Sequence, residues 1–243
     1  MPNAKIAIFP KKQRTDDPSS QNYTRLTFGA AETIMPQDQP LAFCYKIIAG
    51  SVRLVRSTAD GSRIIGQFLF PEDLFGFEVG EKSYFAAEAI NRTILIRYPR
   101  TMIEDLTAQN LAIARQLCDL SSRRLRYAYS HMIMIGRQSS AVRVASFFLE
   151  MLEHNRAASG LWLELPMGQR DIADYLCLRI ETVCREVAQL RERGVIEYHS
   201  RRLVAIRNRE ALVEISQDTH AANDCEIIDS LWGRASLENR IAL

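Results

Sequence analysis

The sequence has few cysteines and no long hydrophobic run, and these absences exclude several classes of protein. No apolar run approaches the roughly 20 residues that cross a bilayer, and the first residues lack the apolar core of a signal peptide. The cysteines are odd in number, scattered and without metal-ligand spacing, so we expect no disulfide framework, zinc site or iron–sulfur site. They are Cys44, Cys118, Cys177, Cys184 and Cys225. We therefore expect a cytoplasmic protein with no membrane segment, no metal and no cofactor.

Catalytic motifs are also missing. The chain has no Gly-rich phosphate loop, no G-x-S-x-G elbow and no cluster of metal-ligand residue types. The histidines are isolated, and we interpret His131 and His154 as residues on helix surfaces rather than haem ligands. We predict that the protein is not an enzyme.

The basic residues are unevenly distributed along the chain. The net charge is only +2, which by itself does not argue for a nucleic-acid partner. All lysines lie at or before Lys82, and every later Lys/Arg position is arginine. Arginine is better suited than lysine to bidentate contacts with phosphate and guanine.

The 243 residues are enough for two modest domains. Residues 1–22 are polar and read as a disordered arm. Residues 23–99 alternate short apolar runs with turns, including Asp60-Gly61 between two such runs, a strong hairpin signal. This texture predicts a β-roll or barrel. Residues 100–136, 137–215 and 216–243 are interpreted as a dimerisation helix, a winged helix-turn-helix and a tail with a possible short helix.

The stretch from Arg100 to Ile135 contains no glycine or proline, so we predict one long helix. Two seven-residue series of small and large side chains run along it and predict the seam of a two-stranded coiled coil. The seam consists of Leu111, Ala114, Cys118, Ser121, Leu125, Ala128, Met132 and Ile135. A second series, assigned to packing on the roll, is Leu106, Ile113, Leu120, Tyr127 and Met134. The alternative is one wide stripe buried within a single subunit.

The pattern after Pro166 is the most informative part of the chain. Residues 169–176 and 180–193 form two amphipathic helical segments joined by a tight connection, and Gly194 ends the second. Residues 195–198 and 203–206 are short strands joined by a basic turn. Two short helices followed by a β-hairpin predict a winged helix-turn-helix.

Placement, rather than total charge, favours DNA as the partner of this segment. Between Leu163 and Glu214 there are nine arginines and nine acidic residues, so the bulk charge is neutral. Five arginines nevertheless fall where they would ring one surface, with the acids elsewhere. They are Arg170, Arg179, Arg185, Arg201 and Arg202.

The second helix carries candidate base-reading residues near its N-terminus, the end that enters a major groove. Glu181 and Arg185 are four residues apart, and Cys184 lies on the same face. A carboxylate accepts from cytosine N4, and a guanidinium donates to guanine or phosphate. The alternative is an ordinary surface ion pair between Glu181 and Arg185.

Residues 46–77 and 169–206, with the ETVCR core of the second helix, resemble the cyclic-AMP receptor protein/FNR (CRP/FNR) superfamily of bacterial regulators, FixK-type branch. The resemblance covers about residues 23–215. It implies a homodimeric transcription activator that reads a palindrome of TTGAT-type half-sites and contacts RNA polymerase. By this analogy Glu181, Cys184 and Arg185 read bases, while Gln169 and Arg170 hold phosphates.

Several positions depart from the superfamily pattern. Residues 81–86 lack the Arg-Ser pair that holds a cyclic phosphate, and residues 1–43 contain no cysteine for an iron–sulfur cluster. We therefore predict neither a cyclic-AMP response nor a cluster. Cys177 stands where glycine is common, which is unfavourable if its φ is positive. Arg179 stands where Ser or Thr caps the helix, and its cation cannot accept from free amides but could grip a phosphate.

Cys184 stands where the FNR-like pattern often has serine. A helix N-terminus and an adjacent guanidinium favour a thiolate, so we hypothesise that oxidation of Cys184 makes DNA binding redox-sensitive. The alternative is a small residue that touches a thymine methyl. We interpret Cys44 and Cys118 as core residues and assign no role to Cys225.

A second function class stays open, namely a regulator gated by a small molecule in the roll. Its pocket would be lined by Phe68, Phe70, Phe75, Phe77 and Phe85, although aromatic residues in a roll are more often part of the core. In the tail, Ile227, Ile228, Leu231 and Trp232 have helical spacing. The sequence does not indicate the target promoters, the upstream signal, or repression at individual sites.

Overall fold

The computed structural model describes residues 23–78, 80–154 and 162–217. The predicted N-terminal arm and nearly all of the tail, including Cys225 and the helical spacing around Trp232, lie outside these residues.

The N-terminal part is the predicted β-roll, built from two four-stranded sheets whose strand orders are β1-β8-β3-β6 and β2-β7-β4-β5. Its strands are β1 (Thr24–Phe28), β2 (Thr33–Met35), β3 (Phe43–Ala49), β4 (Val52–Ser57), β5 (Arg63–Leu69), β6 (Leu74–Phe75), β7 (Ala86–Ala89) and β8 (Thr93–Pro99). Inward side chains from both sheets, such as Ile47, Leu69, Phe75 and Leu95, are fully buried between them. The fold class predicted from the short, closely spaced strands is confirmed.

The Asp60-Gly61 dipeptide forms the predicted hairpin turn between β4 and β5. Gly61 has φ of +81°, a conformation that glycine adopts without strain. The turn closes by a bond from Thr58 N to the Ser62 carbonyl at 2.9 Å. This hairpin brings Arg53 and Arg63 to the side of the roll that faces the C-terminal domain.

The predicted single helix from Arg100 to Ile135 is wrong in one respect, because Asn110 divides it. Helix α1 (Arg100–Gln109) ends there and α2 (Leu111–Arg137) begins. Asn110 is extended, with φ of −134°, and its side chain accepts from the backbone N of Ala112 and Ile113. Asparagine is among the preferred N-cap residues, so it ends one helix and starts the next without glycine or proline.

Helix α2 has one face on the roll and one exposed face. Ile113 and Leu120 of the second apolar series pack with Cys44 and Tyr98, as predicted, and Leu117 packs beside them. Farther along, Tyr127 and Met134 instead join the core that continues into the C-terminal domain. The division of α2 into two different faces contradicts the alternative of one wide buried stripe.

Six of the eight seam residues are exposed on α2, whereas Ala114 is half-buried and Ile135 packs against the core that continues into the C-terminal domain. Leu111, Leu125 and Met132 are 67%, 53% and 58% exposed. Cys118, assigned to the core of the seam, is exposed within one subunit like Leu111 and Leu125, whereas Cys44 is fully buried as predicted. Burial raises the pKa of the Cys44 thiol to about 12, which keeps it protonated.

The C-terminal domain begins with α3 (Ser140–His154) and continues through β9 (Trp162–Glu164), α4 (Gln169–Leu176), α5 (Ile180–Glu192), β10 (Ile196–Tyr198), β11 (Leu203–Ile206) and α6 (Arg209–Ser216). The strands form a sheet of order β10-β11-β9, in which β10 and β11 make the predicted wing. Helix α6 was not predicted, although Asn208 caps it by accepting from Ala211 N at 2.9 Å.

A polar cluster lies where α2, α3 and α4 meet. His131 is stacked on Tyr175 with ring centroids 4.3 Å apart, so its interpretation as a surface residue is wrong. Tyr127 and Tyr175 each donate to the Glu150 carboxyl group, at 2.6 and 2.8 Å. Burial raises the pKa of Glu150 and lowers that of His131.

In the described ranges, none of the helices combines the length with the hydrophobicity that a membrane span requires. Nor do any His, Cys, Asp or Glu side chains of those ranges gather in groups of three or more that could hold a metal ion.

Candidate nucleic-acid interface

The N-terminal half of α5 presents an exposed polar face, here called the reading face, made of Glu181, Cys184 and Arg185. All three residues are exposed, and the Arg185 side chain retains 62% of its accessible surface. Their spacing of three and four residues places them on one side of the helix. The reading face is therefore available to a large partner.

The opposite side of α5 is anchored in the domain core. Val183, Val187 and Leu190 are at most 5% exposed, as their helical spacing predicts. Glu186 is also buried, and its carboxylate accepts from the hydroxyl of Ser140 at the start of α3, at 2.7 Å. Apolar and polar contacts together fix which side of α5 faces outward.

The alternative of a Glu181–Arg185 ion pair has no support in the geometry. Arg185 instead pairs with Glu186, with Nη2 and Oε1 3.3 Å apart. The Glu181 carboxylate is thus left on the surface, where it can accept from an incoming donor.

The connection between α4 and α5 contains two residues that are atypical for the family pattern, Cys177 and Arg179. Cys177 is left-handed, with φ of 51° and ψ of 45°. Arg179 is the N-cap of α5, and its side chain makes no cap bond. The first amides of α5 are consequently left for another acceptor, such as a phosphate oxygen.

The predicted phosphate-binding residues are all exposed, but only some share a cleft. Gln169 and Arg201, together with Ser200, line a cleft of about 480 Å³ between α4, α5 and the wing. Arg170, Arg179 and Arg202 are exposed outside its lining. Gln169 also touches the reading face, because its Oε1 accepts from the Cys184 thiol at 3.1 Å.

Four acidic residues of the domain are paired or buried, and three of them pair with arginines outside the reading face. Asp171 and Asp174 bind arginines of the roll, and Glu197 binds Arg207 at 2.6 Å. Glu186 is the buried carboxylate described above. The domain's neutral total charge therefore includes acids that are paired or buried, while Arg170, Arg179, Arg185, Arg201 and Arg202 are all exposed.

Two family descriptions match the chain. One is the Crp-like helix-turn-helix domain, over residues 142–215, and the other is the cyclic nucleotide-binding domain, over residues 25–110. The nitrogen fixation regulation protein FixK of Rhizobium meliloti (strain 1021) is 38% identical over 169 residues, which cover 70% of this chain and 76% of that relative. The chain belongs to the FixK type of the CRP/FNR family.

Further relatives of this FixK-type chain agree in sequence and in fold. FixK of Azorhizobium caulinodans is 35% identical over 192 residues, covering 78% of this chain and 77% of that protein. The structure of FixK2 from Bradyrhizobium japonicum has a TM-score of 0.76 at 36% identity and covers 79% of this chain and 96% of that one. This member of the family is a transcription regulator with a helix-turn-helix DNA-binding domain, and its relatives are regulators rather than enzymes.

A cyclic nucleotide does not fit the residues of this FixK-type roll. A cavity of about 430 Å³ between the roll and α2 is lined by Phe77, Ser83, Phe85 and Arg124. The Ser83 hydroxyl donates to the Pro36 carbonyl at 2.6 Å. Arg124 donates to the Leu74 carbonyl and pairs with Glu78, so the cavity's guanidinium is already engaged. A cyclic phosphate would lack a free cation among the described lining residues.

The five phenylalanines proposed to line a pocket do not act together. Phe77 and Phe85 line the cavity, and the Phe85 ring covers Gly66, where a Cβ would lie 2.6 Å from it. Phe68 and Phe75 are buried in the cores. Phe70 packs at the edge of the core that continues into the C-terminal domain. The alternative of an aromatic pocket therefore keeps only Phe77 and Phe85, and the other three phenylalanines belong to the cores, as is more common for aromatics in a roll.

The sequence alone did not identify the arginines of the roll as partners of α4. Arg53 and Asp171 are 118 positions apart, and Arg63 and Asp171 are 108 apart. A local pattern cannot report such a contact. The only available signal was that Asp171 and Asp174 follow Arg170 in α4, although Arg170 was assigned to a basic surface.

Proposed function

We propose that the chain is a homodimeric transcription activator that reads a palindrome of TTGAT-type half-sites and acts without cyclic AMP or an iron–sulfur cluster. In this proposal residues 23–99 form a sensor-like roll, residues 100–136 pair two subunits, and residues 137–215 bind DNA. Activation follows from contact with RNA polymerase. The observation that carries the proposal is the exposed reading face at the leading end of α5.

The roles of individual side chains follow from their chemistry and position. Glu181 accepts from a cytosine amino group, and Arg185 donates to guanine, which suits a groove that exposes both edges. Gln169, Arg170, Arg179, Arg201 and Arg202 hold phosphates around that helix. The exposed wing arginines and the uncapped start of α5 support this assignment.

A second copy of the chain supplies the partner for the α2 seam. The seam exposes Leu111, Leu125 and Met132 in register along a 27-residue helix. A row of exposed large apolar side chains with small residues between them is suited to a two-stranded coiled coil. Two subunits joined this way carry two reading faces, as a palindrome requires.

Sequencing of DNA selected from a random pool by the purified full chain tests the function directly. We expect enrichment of an inverted repeat whose half-site centres lie about one helical turn, or a multiple of it, apart. Enrichment should not depend on added cyclic AMP. A pool that stays random, or a single unrepeated motif, would contradict the proposed dimeric operator.

Cys184 is proposed as the point of redox control within this function. Its thiol is exposed, and it lies on the reading face with only Gln169 as its hydrogen-bond partner among the described residues. Oxidation to a sulfinic or sulfonic acid adds bulk and negative charge opposite the DNA phosphates. The alternative role, contact with a thymine methyl, uses the same position but predicts no regulation.

Peroxide treatment separates these two roles. We expect oxidation to lower the operator affinity of the wild type at least tenfold, because the added anion faces a polyanion, while Cys184→Ser keeps its affinity. Binding is measured by fluorescence anisotropy on the selected duplex before and after treatment.

Cys177→Ser is the matched control, since Cys177 is also exposed and lies in the same domain. This variant should stay as sensitive as the wild type. Equal loss of binding in the wild type and in Cys184→Ser would remove Cys184 as the sensor.

The ligand-gated alternative retains one favourable observation, the cavity between the roll and α2. Tyr127, Leu125 and Phe85 give it an apolar wall suited to a small apolar molecule rather than a nucleotide. A compound that raised both the melting temperature and the operator affinity would favour this function over ligand independence.

A further inference from the structure

Four charged side chains join the roll to the first helix of the helix-turn-helix, and we call them the α4 clamp: Arg53, Arg63, Asp171 and Asp174. Arg53 Nη1 lies 3.1 and 3.0 Å from the two carboxylate oxygens of Asp171. Arg63 Nη2 donates to Asp171 at 2.6 Å, and Arg63 Nε donates to Asp174 at 2.8 Å. Arg53 of β4 and Arg63 of β5 thus each hold α4 by two charge-assisted contacts.

The clamp is well shielded from water. The side chains of Arg53 and Asp171 are only 13% and 11% exposed, and those of Arg63 and Asp174 are 27% and 20% exposed. Within the roll, Arg53 also binds Glu88, whose carboxylate accepts from Arg53 Nε at 2.9 Å. Salt screens such shielded pairs much less than exposed ones, so the clamp should persist at physiological ionic strength.

Helix α4 is held at its other end by the polar cluster of α2 and α3. Tyr175 donates to Glu150, and its carbonyl oxygen lies 3.0 Å from the ring nitrogen of His131. Phe68 of β5 packs against the Tyr175 ring with centroids 5.1 Å apart. An eight-residue helix that binds the roll, α2 and α3 at once has little freedom to tilt.

The orientation of α4 sets the orientation of the reading face. Helix α4 packs against α5 in the common core, through residues such as Ile172 and Val187. Gln169, the first residue of α4, also accepts from Cys184 of the reading face. A change in the angle between the roll and α4 would therefore carry α5 with it.

We propose that the α4 clamp is a positioning device that holds each reading face at the angle at which a dimer can engage two half-sites together. This inference rests on the proposed function, and it makes the four clamp residues positioning residues rather than DNA contacts. Two half-sites a fixed distance apart demand a fixed orientation in both subunits. The apparent dissociation constant rises in inverse proportion to the population that holds that orientation.

The test uses Arg63→Gln, Asp174→Asn and the double variant in the full chain, with the duplex selected from the random pool. These are the more exposed members of the clamp, so their replacement is the less disruptive choice. Long-range electrostatics predict opposite effects on DNA affinity, because one variant loses a positive charge and the other a negative charge. The clamp predicts that both single variants lose operator affinity, each about tenfold. The double variant should bind the operator no more weakly than the single variant with the larger loss.

Arg56→Gln and Asp38→Asn are matched controls, since Arg56 and Asp38 form an ion pair within the roll, 3.1 Å apart. Both should bind the operator like the wild type. Melting temperatures and a stoichiometric titration with DNA measure how much of each variant is folded and able to bind. A loss of affinity in fully folded, binding-competent protein is then due to the orientation of the reading face. Affinity for a random duplex should change little, because non-specific binding does not require two aligned reading faces.

The outcomes distinguish the two proposals. A wild type that selects no operator overturns the proposed function and this inference with it. If the wild type binds its operator, opposite effects of the single variants, unchanged affinity, or tighter binding overturn the clamp alone. Additive losses in the double variant overturn it too, because members of one device should not act independently.

Discussion

Replacing Arg185 by alanine lowers affinity for the selected operator by about tenfold to a hundredfold. A bidentate contact between a guanidinium and guanine contributes about 1–3 kcal/mol of discrimination against the wrong base. The Arg185 side chain is 62% exposed and has only a single 3.3 Å contact with Glu186 to lose on binding DNA. The loss should therefore appear in binding rather than in folding, and anisotropy titrations together with thermal unfolding will measure the two separately.

The same variant should also relax sequence preference at one position of each half-site. Titrations with duplexes substituted at each position will measure how much affinity each base substitution costs. In Arg185→Ala, the substitution at the base pair that Arg185 reads should no longer lower the affinity. If Arg185 instead holds a phosphate, affinity falls equally for all sequences. The slope of the logarithm of affinity against the logarithm of salt concentration then becomes smaller by about one. That result would contradict its role in base reading.

Arg193→Ala is the matched control for this prediction. Arg193 is an exposed arginine at the C-cap of the same helix, about 12 Å along the axis from Arg185 at ~1.5 Å per residue. It loses the same charge but lies far from the leading end of α5. A loss of affinity as large as that of Arg185→Ala would mean that general charge, rather than the reading face, determines binding.

Replacing Leu125 by aspartate separates the subunits and lowers operator affinity by at least about a hundredfold. Leu125 is 53% exposed in a single chain, and in the proposed dimer it packs in the centre of the seam. Truncating a buried leucine costs about 2–5 kcal/mol. Two copies per dimer therefore weaken association by about 4 kcal/mol or more, roughly a thousandfold. A monomer then engages one half-site and loses the gain from binding two at once.

Sedimentation equilibrium of the full chain will measure the dimer, and anisotropy will measure operator binding. Ser130→Asp is the matched control, because Ser130 is exposed on α2 outside the seam. It introduces the same carboxylate and should leave the dimer intact. A Leu125→Asp protein that sediments as a dimer would show that another surface pairs the subunits.

Local sequence patterns determined most elements of the DNA-binding domain. The spacing of Val183, Val187 and Leu190 indicated the buried side of α5 and so the exposed position of Glu181 and Arg185. The bounds of α4 and the two wing strands also followed from periodicity and turn residues, because such signals act within a few residues of chain. At Cys177 the family resemblance, rather than a local pattern, raised the question of a positive φ, and the structure answers it with φ of 51°.

The tertiary structure decided the rest. It alone showed that Asn110 divides the predicted long helix, that His131 is stacked inside a polar cluster, and that Cys118 is exposed within one subunit. It also showed that Asp171 and Asp174 face the roll instead of weakening the basic surface. The Asn110 cap is a local feature, because its side chain accepts from Ala112 and Ile113. By contrast, the contacts of Asp171 and Asp174 join segments more than 100 positions apart, and that of His131 joins residues 44 positions apart, so packing and charge across the fold set their free energy.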